Sequence, residues 1–180
     1  MKIFIIITLS ILVTANLFGQ KKANLEGIEI GDIAPEIELP TVDGEDFKLS
    51  QLKGKVVLVT FWASWCAPCR KKSPELLEVF EKYHNTDFED GENGFEIVYV
   101  SLDKNQIAWK NSIKKDSINV FVNVGDMKGW KSATAKTYNI TRIPSSVLLD
   151  GEGEIIALNL SPQDLKKKLK RMKKGGWWWF

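Results

Sequence analysis

Two apolar runs indicate buried strands, and amphipathic stretches follow each of them. Residues 55–62 (KVVLVTFW) and 95–102 (FEIVYVSL) are short, nearly continuous and rich in β-branched side chains. This is the pattern of strands that are covered on both faces. Residues 68–84 then repeat apolar positions at helical spacing, and residues 107–113 predict a second helix. The alternation of strand and helix favours parallel strand pairing.

Two hairpins are predicted on either side of this central segment. Residues 31–49 alternate polar and apolar positions around the turn-forming pair Asp43-Gly44, which predicts an N-terminal β-hairpin. Residues 146–149 and 155–158 predict two further strands, because the intervening Asp-Gly-Glu-Gly sequence is a hairpin signal.

Two more helical stretches complete the predicted order of elements. Residues 130–138 predict a third helix, whose packing positions are Ala133, Ala135 and Tyr138. Ser161 and Pro162 are suited to the N-cap and first position of a final helix that ends near Met172. The sequence thus predicts an α/β fold: a central mixed β-sheet flanked by helices, with an N-terminal β-hairpin extension.

The N-terminus has the composition of an export signal. Met1-Lys2 precedes an apolar run over residues 3–18, which ends at the small residue Gly19. We therefore predict a signal peptide over residues 1–19, a linker over 20–30, and an exported, periplasmic protein. An uncleaved anchor is the alternative, although a spanning helix needs about 20 mostly apolar residues.

Length and charge narrow the classes of function. The chain has 180 residues, 44% hydrophobic and 27% charged, which suits one domain, assigned to residues 31–174. Seven of the 25 basic residues lie within 166–174, and the rest of the chain carries 18 basic against 23 acidic residues. A basic balance confined to one terminal helix does not predict a nucleic-acid partner. Residues 175–180 (GGWWWF) form an aromatic tail that is either flexible or an exposed apolar patch.

The cysteine pair carries the candidate chemistry. Cys66 and Cys69 are the two cysteines of the chain, and they lie where the first buried strand meets the amphipathic helix. A helix N-terminus favours negative charge, so we expect a lowered pKa for the Cys66 thiol. The thiolate is the nucleophile in disulfide exchange. Cys69, one turn further on and more shielded, suits a resolving thiol, and Pro68 is tolerated in the first turn.

Two structural interpretations compete with redox chemistry. A disulfide that closes so short a loop gives a small entropic stabilisation, so a structural staple is weakly motivated. A zinc site would need two further ligands, and the chain offers only His84, at a polar helix end that we expect to be solvated. Redox chemistry is the favoured interpretation.

Residues 55–74 (KVVLVTFWASWCAPCRKKSP) resemble the active-site segment of the thioredoxin superfamily, and residues 31–172 resemble its exported TlpA/ResA-like branch. The matching positions are Gly31, Asp32, Ala34, Pro35, Gly54, Lys55, Phe61, Trp62, Trp65, Cys66, Pro68, Cys69, Pro74, Tyr138, Asn139, Ile140, Ile143 and Pro144. The resemblance implies a thioredoxin-like fold and a redox-active Cys66–Cys69 disulfide that works without a further cofactor or a metal.

The resemblance also implies roles for residues around the cysteines. Pro144 is expected to be cis and to lie against the cysteine pair, where the adjoining backbone at Ile143 helps to hold a substrate chain. Trp62 and Trp65 are expected to flank the site, whereas Trp109 and Trp130 are assigned to core or surface packing. Active-site support is expected from Trp62, Trp65, Ala67, Pro68, Lys72, Ile143 and Pro144.

Two positions depart from the resemblance. Lys72 stands where relatives often carry a glutamate, and a cation there would favour the thiolate. Thr60 stands where thioredoxins proper carry a buried acid, so proton transfer to Cys69 would rely on water or on another group.

The resemblance implies a reductase of disulfides in exported proteins. Members of the branch reduce apocytochrome c cysteines before haem attachment or act as general reductants of exported thiols, and a membrane-embedded donor re-reduces them. We expect a monomer. One alternative is a peroxiredoxin-like peroxidase, which would need a threonine where Ala63 stands. Another is a non-enzymatic binding module recruited through the basic and aromatic C-terminus. The direction of electron flow, reduction or oxidation, stays open because it depends on the reduction potential.

Overall fold

A computed structural model describes residues 27–90 and 92–175 of the 180-residue chain. The predicted signal peptide, linker residues 20–26 and tail residues 176–180 lie outside the described residues, so these assignments stay predictions. Within the described ranges, no helix has both the length and the apolar character needed to cross a membrane.

Within the described ranges, seven strands form two sheets. The hairpin strands β1 (Glu38–Pro40) and β2 (Asp46–Lys48) pair antiparallel in a small sheet of their own, which confirms the predicted N-terminal hairpin. The main sheet contains β3 (Val56–Trp62), β4 (Phe95–Ser101), β5 (Val122–Val124), β6 (Ser145–Leu149) and β7 (Ile155–Leu158). Its order is β5-β4-β3-β6-β7, with β3, β4 and β5 parallel and the last two strands antiparallel.

Four α-helices accompany the sheet in the part of the chain that the structure describes. They are α1 (Ala67–Tyr83), α2 (Gln106–Lys115), α3 (Ala133–Thr137) and α4 (Pro162–Met172). The predicted N-cap of the final helix is confirmed, because the Ser161 side chain accepts the main-chain N–H of Asp164. Asn105 caps α2 in the same way, through the N–H of Ala108.

The central strands β3 and β4 are buried along their whole length, as their continuous apolar sequences predict. On one face of β3, Leu58 and Trp62 pack into a core cluster with α1, α2 and α4. On the other face, Val59 and Phe61 pack against the N-terminal hairpin and Tyr138. Side chains of successive strand residues point to opposite faces, so one continuous apolar run supplies both cores.

Two sequence predictions need correction. The strand β5 was not predicted, because three residues at the edge of a sheet are too short to give a periodic signal. The predicted helix over residues 130–138 is a 3-10 turn (Gly129–Lys131) followed by the five-residue α3. Ser132 separates the two with an extended backbone, at φ −53° and ψ 131°. Within this segment Ala135 and Tyr138 are buried as predicted, but Ala133 is exposed.

Candidate functional site

Parallel pairing of β3, β4 and β5 brings the segments that follow them to one edge of the main sheet. The loop over residues 63–66 follows β3, residues 102–105 follow β4, and residues 125–132 follow β5. The main-chain N–H of Leu102 donates to the carbonyl of Trp62 at 2.8 Å, which joins the first two segments directly. This edge carries the cysteine pair.

Cys66 and Cys69 form a disulfide at the N-terminus of α1, with Cα atoms 5.3 Å apart. Cys66 is the N-cap residue, and its Sγ accepts the main-chain N–H of Cys69 at 3.3 Å. Both residues are buried to a similar degree, at 4% and 3% exposure. Burial therefore does not make Cys69 the more shielded thiol, and the N-cap position is what distinguishes the two cysteines.

The surroundings of Cys66 favour a negative charge on sulfur. The helix N-terminus presents partial positive charge, and α1, which is described throughout, has no acidic residue in its first turn. When the disulfide is reduced, a Cys66 thiolate is suited to accept the same N–H of Cys69. Hydrogen bonding of this kind and the helix dipole lower the pKa of a thiol.

A buried carboxylate fixes the loop that leads into the cysteines. Asp103 Oδ2 accepts the main-chain N–H of Ser64 at 2.9 Å, and its Oδ1 accepts the Ser64 hydroxyl at 2.6 Å. The Ser101 hydroxyl donates to the same carboxylate at 2.8 Å. Sequence reasoning missed Asp103, although a charged residue directly after a buried strand was a signal that could have found it.

An ion pair fixes the first turns of α1 from another direction. Arg70 Nε and Nη2 donate to the two carboxylate oxygens of Asp116 at 2.6 and 2.7 Å. The bidentate pair joins the residue after Cys69 to the C-cap of α2. Its hydrogen bond raises the pKa of Arg70, so the cation is retained at all ordinary pH values. This pair was also not predicted from the sequence.

A small cavity lies between α1 and the segment that enters β6. Thr60, Lys72 and Pro144 are among the residues that line its volume of about 40 Å³. The Ile143–Pro144 peptide bond is cis, which confirms the conformation implied by the resemblance. Thr60 Oγ1 is buried and has no hydrogen-bond partner within the described part of the chain. A cavity of this size holds a water molecule where polar partners are present.

The tryptophans divide between core and surface. Trp62 is fully buried and packs on Tyr99 at a centroid distance of 5.2 Å, so it supports the site from within the core. Trp109 is also buried. In contrast, Trp65 and Trp130 are 57% and 44% exposed, with ring centroids 6.5 Å apart. Ala67 and Pro68, which lie between the two cysteines in the chain, are also exposed. Of the two tryptophans assigned to packing, Trp130 is the one at the surface.

We expected His84 to be solvated, but its ring has partners within the fold. Its Nδ1 lies 3.3 Å from Glu96 Oε1 and 3.3 Å from the carbonyl of Phe95, and the ring packs on Phe80. Among residues 27–90 and 92–175, no group of three or more His, Cys, Asp or Glu side chains is arranged to hold a metal ion.

A cysteine pair at the start of a helix that follows the central strand of a mixed five-stranded sheet defines a thioredoxin-like redox protein. A family model described as thioredoxin-like matches residues 54–155. Thiol-disulfide oxidoreductase ResA of Bacillus cereus is 32% identical over 155 residues, which cover 86% of this chain and 83% of that protein.

Solved structures agree with this assignment. A thiol-disulfide oxidoreductase from Bacteroides fragilis superposes with a TM-score of 0.68 at 33% identity, covering 78% of this chain and 98% of that one. The thioredoxin domain of a thiol-disulfide oxidoreductase from Bacteroides vulgatus gives a TM-score of 0.69 at 31% identity, covering 82% and 97%. The chain belongs to the thioredoxin-like family and is a thiol-disulfide oxidoreductase of the ResA type.

Proposed function

We propose that the protein reduces disulfides in exported proteins, with Cys66 as the attacking thiol and Cys69 as the resolving thiol. One observation carries the assignment of roles: the Cys66 Sγ caps α1 and accepts the N–H of Cys69. That position favours the thiolate at Cys66, and the thiolate is the species that attacks a disulfide.

The exchange proceeds in two balanced steps. The Cys66 thiolate attacks one sulfur of the substrate disulfide, a mixed disulfide forms, and the other substrate sulfur leaves as a thiolate that takes up a proton. The Cys69 thiolate then attacks Cys66 Sγ and releases the second substrate thiol. The substrate gains two electrons and two protons, and the Cys66–Cys69 disulfide is regenerated.

The remaining assignments belong to the same proposal. The backbone at Ile143 and Pro144 holds the substrate chain beside the cysteines, and the exposed Trp65 lies next to Cys66. Lys72 favours the thiolate form. The signal-like N-terminus supports export to the periplasm, where a membrane-embedded donor would return the pair to its reduced state. No cofactor beyond the cysteine pair is required for this chemistry, and the protein acts as a monomer. Candidate substrates are exported proteins with paired cysteines, including apocytochromes c.

The reduction potential of the cysteine pair tests the direction of the reaction. The full chain is equilibrated in graded thiol/disulfide buffers, and Cys69→Ser, which cannot form the internal disulfide, serves as the control. A potential near or below about −270 mV supports a reductase, and one near about −120 mV would make the protein an oxidant. Absence of any reversible couple would contradict the redox assignment itself.

Trapping of the mixed disulfide tests the order of the two thiols. If Cys66 attacks, Cys69→Ser accumulates a mixed disulfide with a model disulfide substrate, whereas Cys66→Ser does not. The reverse pattern would exchange the roles of the two cysteines.

A further inference from the structure

An exposed aromatic pair lies beside the disulfide. Trp65 immediately precedes Cys66 in the loop after β3, and Trp130 belongs to the 3-10 turn after β5. The two rings are 6.5 Å apart between centroids and tilted by 49°, yet both side chains remain about half exposed. The two rings come from different loops and contact each other, and we call the surface formed by Trp65 and Trp130 the tryptophan rim.

The rim is not explained by packing in the core. Each of the two rings contacts the other while keeping a large exposed area, at a site where the buried Trp62 and Trp109 already fill the interior. Exposed tryptophans offer large rigid contact surfaces, and tryptophan is enriched among the residues that dominate binding energy at interfaces.

Three lysines lie close to Trp130, either in the chain or against the neighbouring Gly129. Lys128 and Lys131 flank it in the chain and are exposed. The aliphatic part of the exposed Lys104 lies against Gly129, where a Cβ would meet its Cε at 2.8 Å. None of the three forms an ion pair within residues 27–90 and 92–175.

Neither Asp103 nor Asp126, the acidic residues of this edge, forms an ion pair with one of the lysines within the described residues. The buried Asp103 carboxylate accepts hydrogen bonds from Ser64 and Ser101. The Asp126 carboxylate accepts the main-chain N–H of Lys128. Outside residues 166–174 the chain is acidic overall, with 18 basic against 23 acidic residues, so the cationic character of this edge is local. A surface of this kind complements a partner that carries carboxylates.

We propose that Trp130 is a specificity-determining residue, and that the tryptophan rim with its lysines binds a substrate segment that has an apolar side chain and carboxylates close to its disulfide. This inference deepens the proposed function and rests on it, since it concerns how a substrate disulfide is selected. Trp130 acts by contact with the chain that bears the disulfide, whereas the chemistry remains with Cys66 and Cys69.

The test compares peptide and small disulfides. The reduced full-length protein is mixed with a synthetic peptide whose disulfide is flanked by leucine and aspartate, with a matched peptide in which serine replaces both, and with hydroxyethyl disulfide. Stopped-flow measurement gives the second-order rate constant for each. The rate constant for the leucine-aspartate peptide is divided by that for hydroxyethyl disulfide. This ratio separates recognition of the peptide from the reactivity of the protein's thiol.

Trp130→Ala should lower that ratio about three- to tenfold, the range expected for loss of one aromatic contact. The rate constant for hydroxyethyl disulfide should be unchanged. Trp130→Phe should lose less than Trp130→Ala, because it retains a ring, and it keeps the test decisive if the alanine variant folds poorly. Lys131→Glu should slow the leucine-aspartate peptide more than the serine peptide, with an effect that weakens as salt is raised.

The matched control is Ile30→Ala. Ile30 is 62% exposed but lies at the end of the sheet opposite to the cysteines. The main-chain N–H of the next residue, Gly31, donates to the carbonyl of Ile155. Ile155 pairs with Leu149, and Leu149 pairs with Val57 at the start of β3. This variant should leave every ratio unchanged. An active protein whose ratio is the same in wild type, Trp130→Ala and Trp130→Phe would overturn the inference alone. A wild type that reduces none of the three disulfides would overturn the proposed function, and this inference with it.

Discussion

Removal of the buried carboxylate of Asp103 is expected to loosen the loop before the cysteines. The carboxylate accepts one main-chain N–H and two hydroxyl hydrogens, from Ser64 and Ser101, in a fully buried position. Hydrogen bonds to charged groups contribute about 1.5–3 kcal/mol each, and a buried donor left without a partner costs about 1–3 kcal/mol. Both hydroxyls can rotate toward other acceptors, but the N–H of Ser64 is fixed.

We therefore expect Asp103→Ala to lower the free energy of unfolding by about 3–5 kcal/mol, a large part of the usual 5–15 kcal/mol of a native domain. Asp103→Asn keeps the shape and one carbonyl acceptor, and should cost about 1–2 kcal/mol. Asp126→Ala is the matched control. Its carboxylate also follows a strand of the parallel set, but it accepts one N–H, that of Lys128, in a partly exposed position. This control should cost no more than about 1 kcal/mol.

Urea unfolding followed by circular dichroism measures the stability of the three variants. The rate of exchange of the reduced protein with hydroxyethyl disulfide tests whether Cys66 is still correctly positioned, because the loop that Asp103 holds ends at Cys66. Asp103→Asn should fold and should show a slower exchange or a shifted pH profile. If Asp103→Ala were no less stable than Asp126→Ala, the assignment of the carboxylate as the anchor of the loop would be refuted.

Three further changes have expected outcomes of known sign. Lys72→Glu should move the pH profile of reductive exchange to higher pH, because an anion beside the site disfavours the thiolate, while Lys71→Glu on the exposed face should move it less; equal shifts would argue against a local effect. Burial raises the pKa of Tyr99 to about 12. The neutral Tyr99 hydroxyl contributes to the free energy of unfolding in full below about pH 10, and this contribution, about 2–3 kcal/mol, should be lost as pH rises through about 12. Urea unfolding at alkaline pH should show a smaller loss for Tyr99→Phe. Gly94→Ala should destabilise more than Gly44→Ala, because both have positive φ (+104° and +91°) but only the Cβ at 94 would meet a main-chain oxygen, at 2.6 Å. Similar thermal midpoints for the two alanine variants would contradict that comparison.

The parts of the fold that were predictable are those with local causes. The apolar runs that became β3 and β4, the helical spacing in α1 and the N-cap of α4 are each contained in one short stretch of sequence. The cysteine pair was found for the same reason, because its position at a strand-to-helix junction can be read locally.

The parts that were missed have distant causes. Asp103 is 39 residues from the loop it anchors, and Asp116 is 46 residues from Arg70. The short strand β5 exists because it pairs with β4, and Trp130 lies at the site because β5 runs parallel to β3 and β4. No periodicity within one segment reports such pairings, so the rim could not be assembled before the sheet order was known.

The distant contacts also explain how the site combines a fixed disulfide with an exposed rim. The N-terminal N–H groups of α1 stabilise negative charge at the Cys66 position, so a fixed helix start preserves that stabilisation when a substrate binds. Asp103 holds the preceding loop, and Arg70 holds the first turn to Asp116, both through bidentate contacts. Because the buried Asp103 and the partly buried Asp116 hold this segment, Trp65 does not need to pack in the core to position it. Its exposed ring can therefore contact a substrate chain without disturbing the thiol beside it.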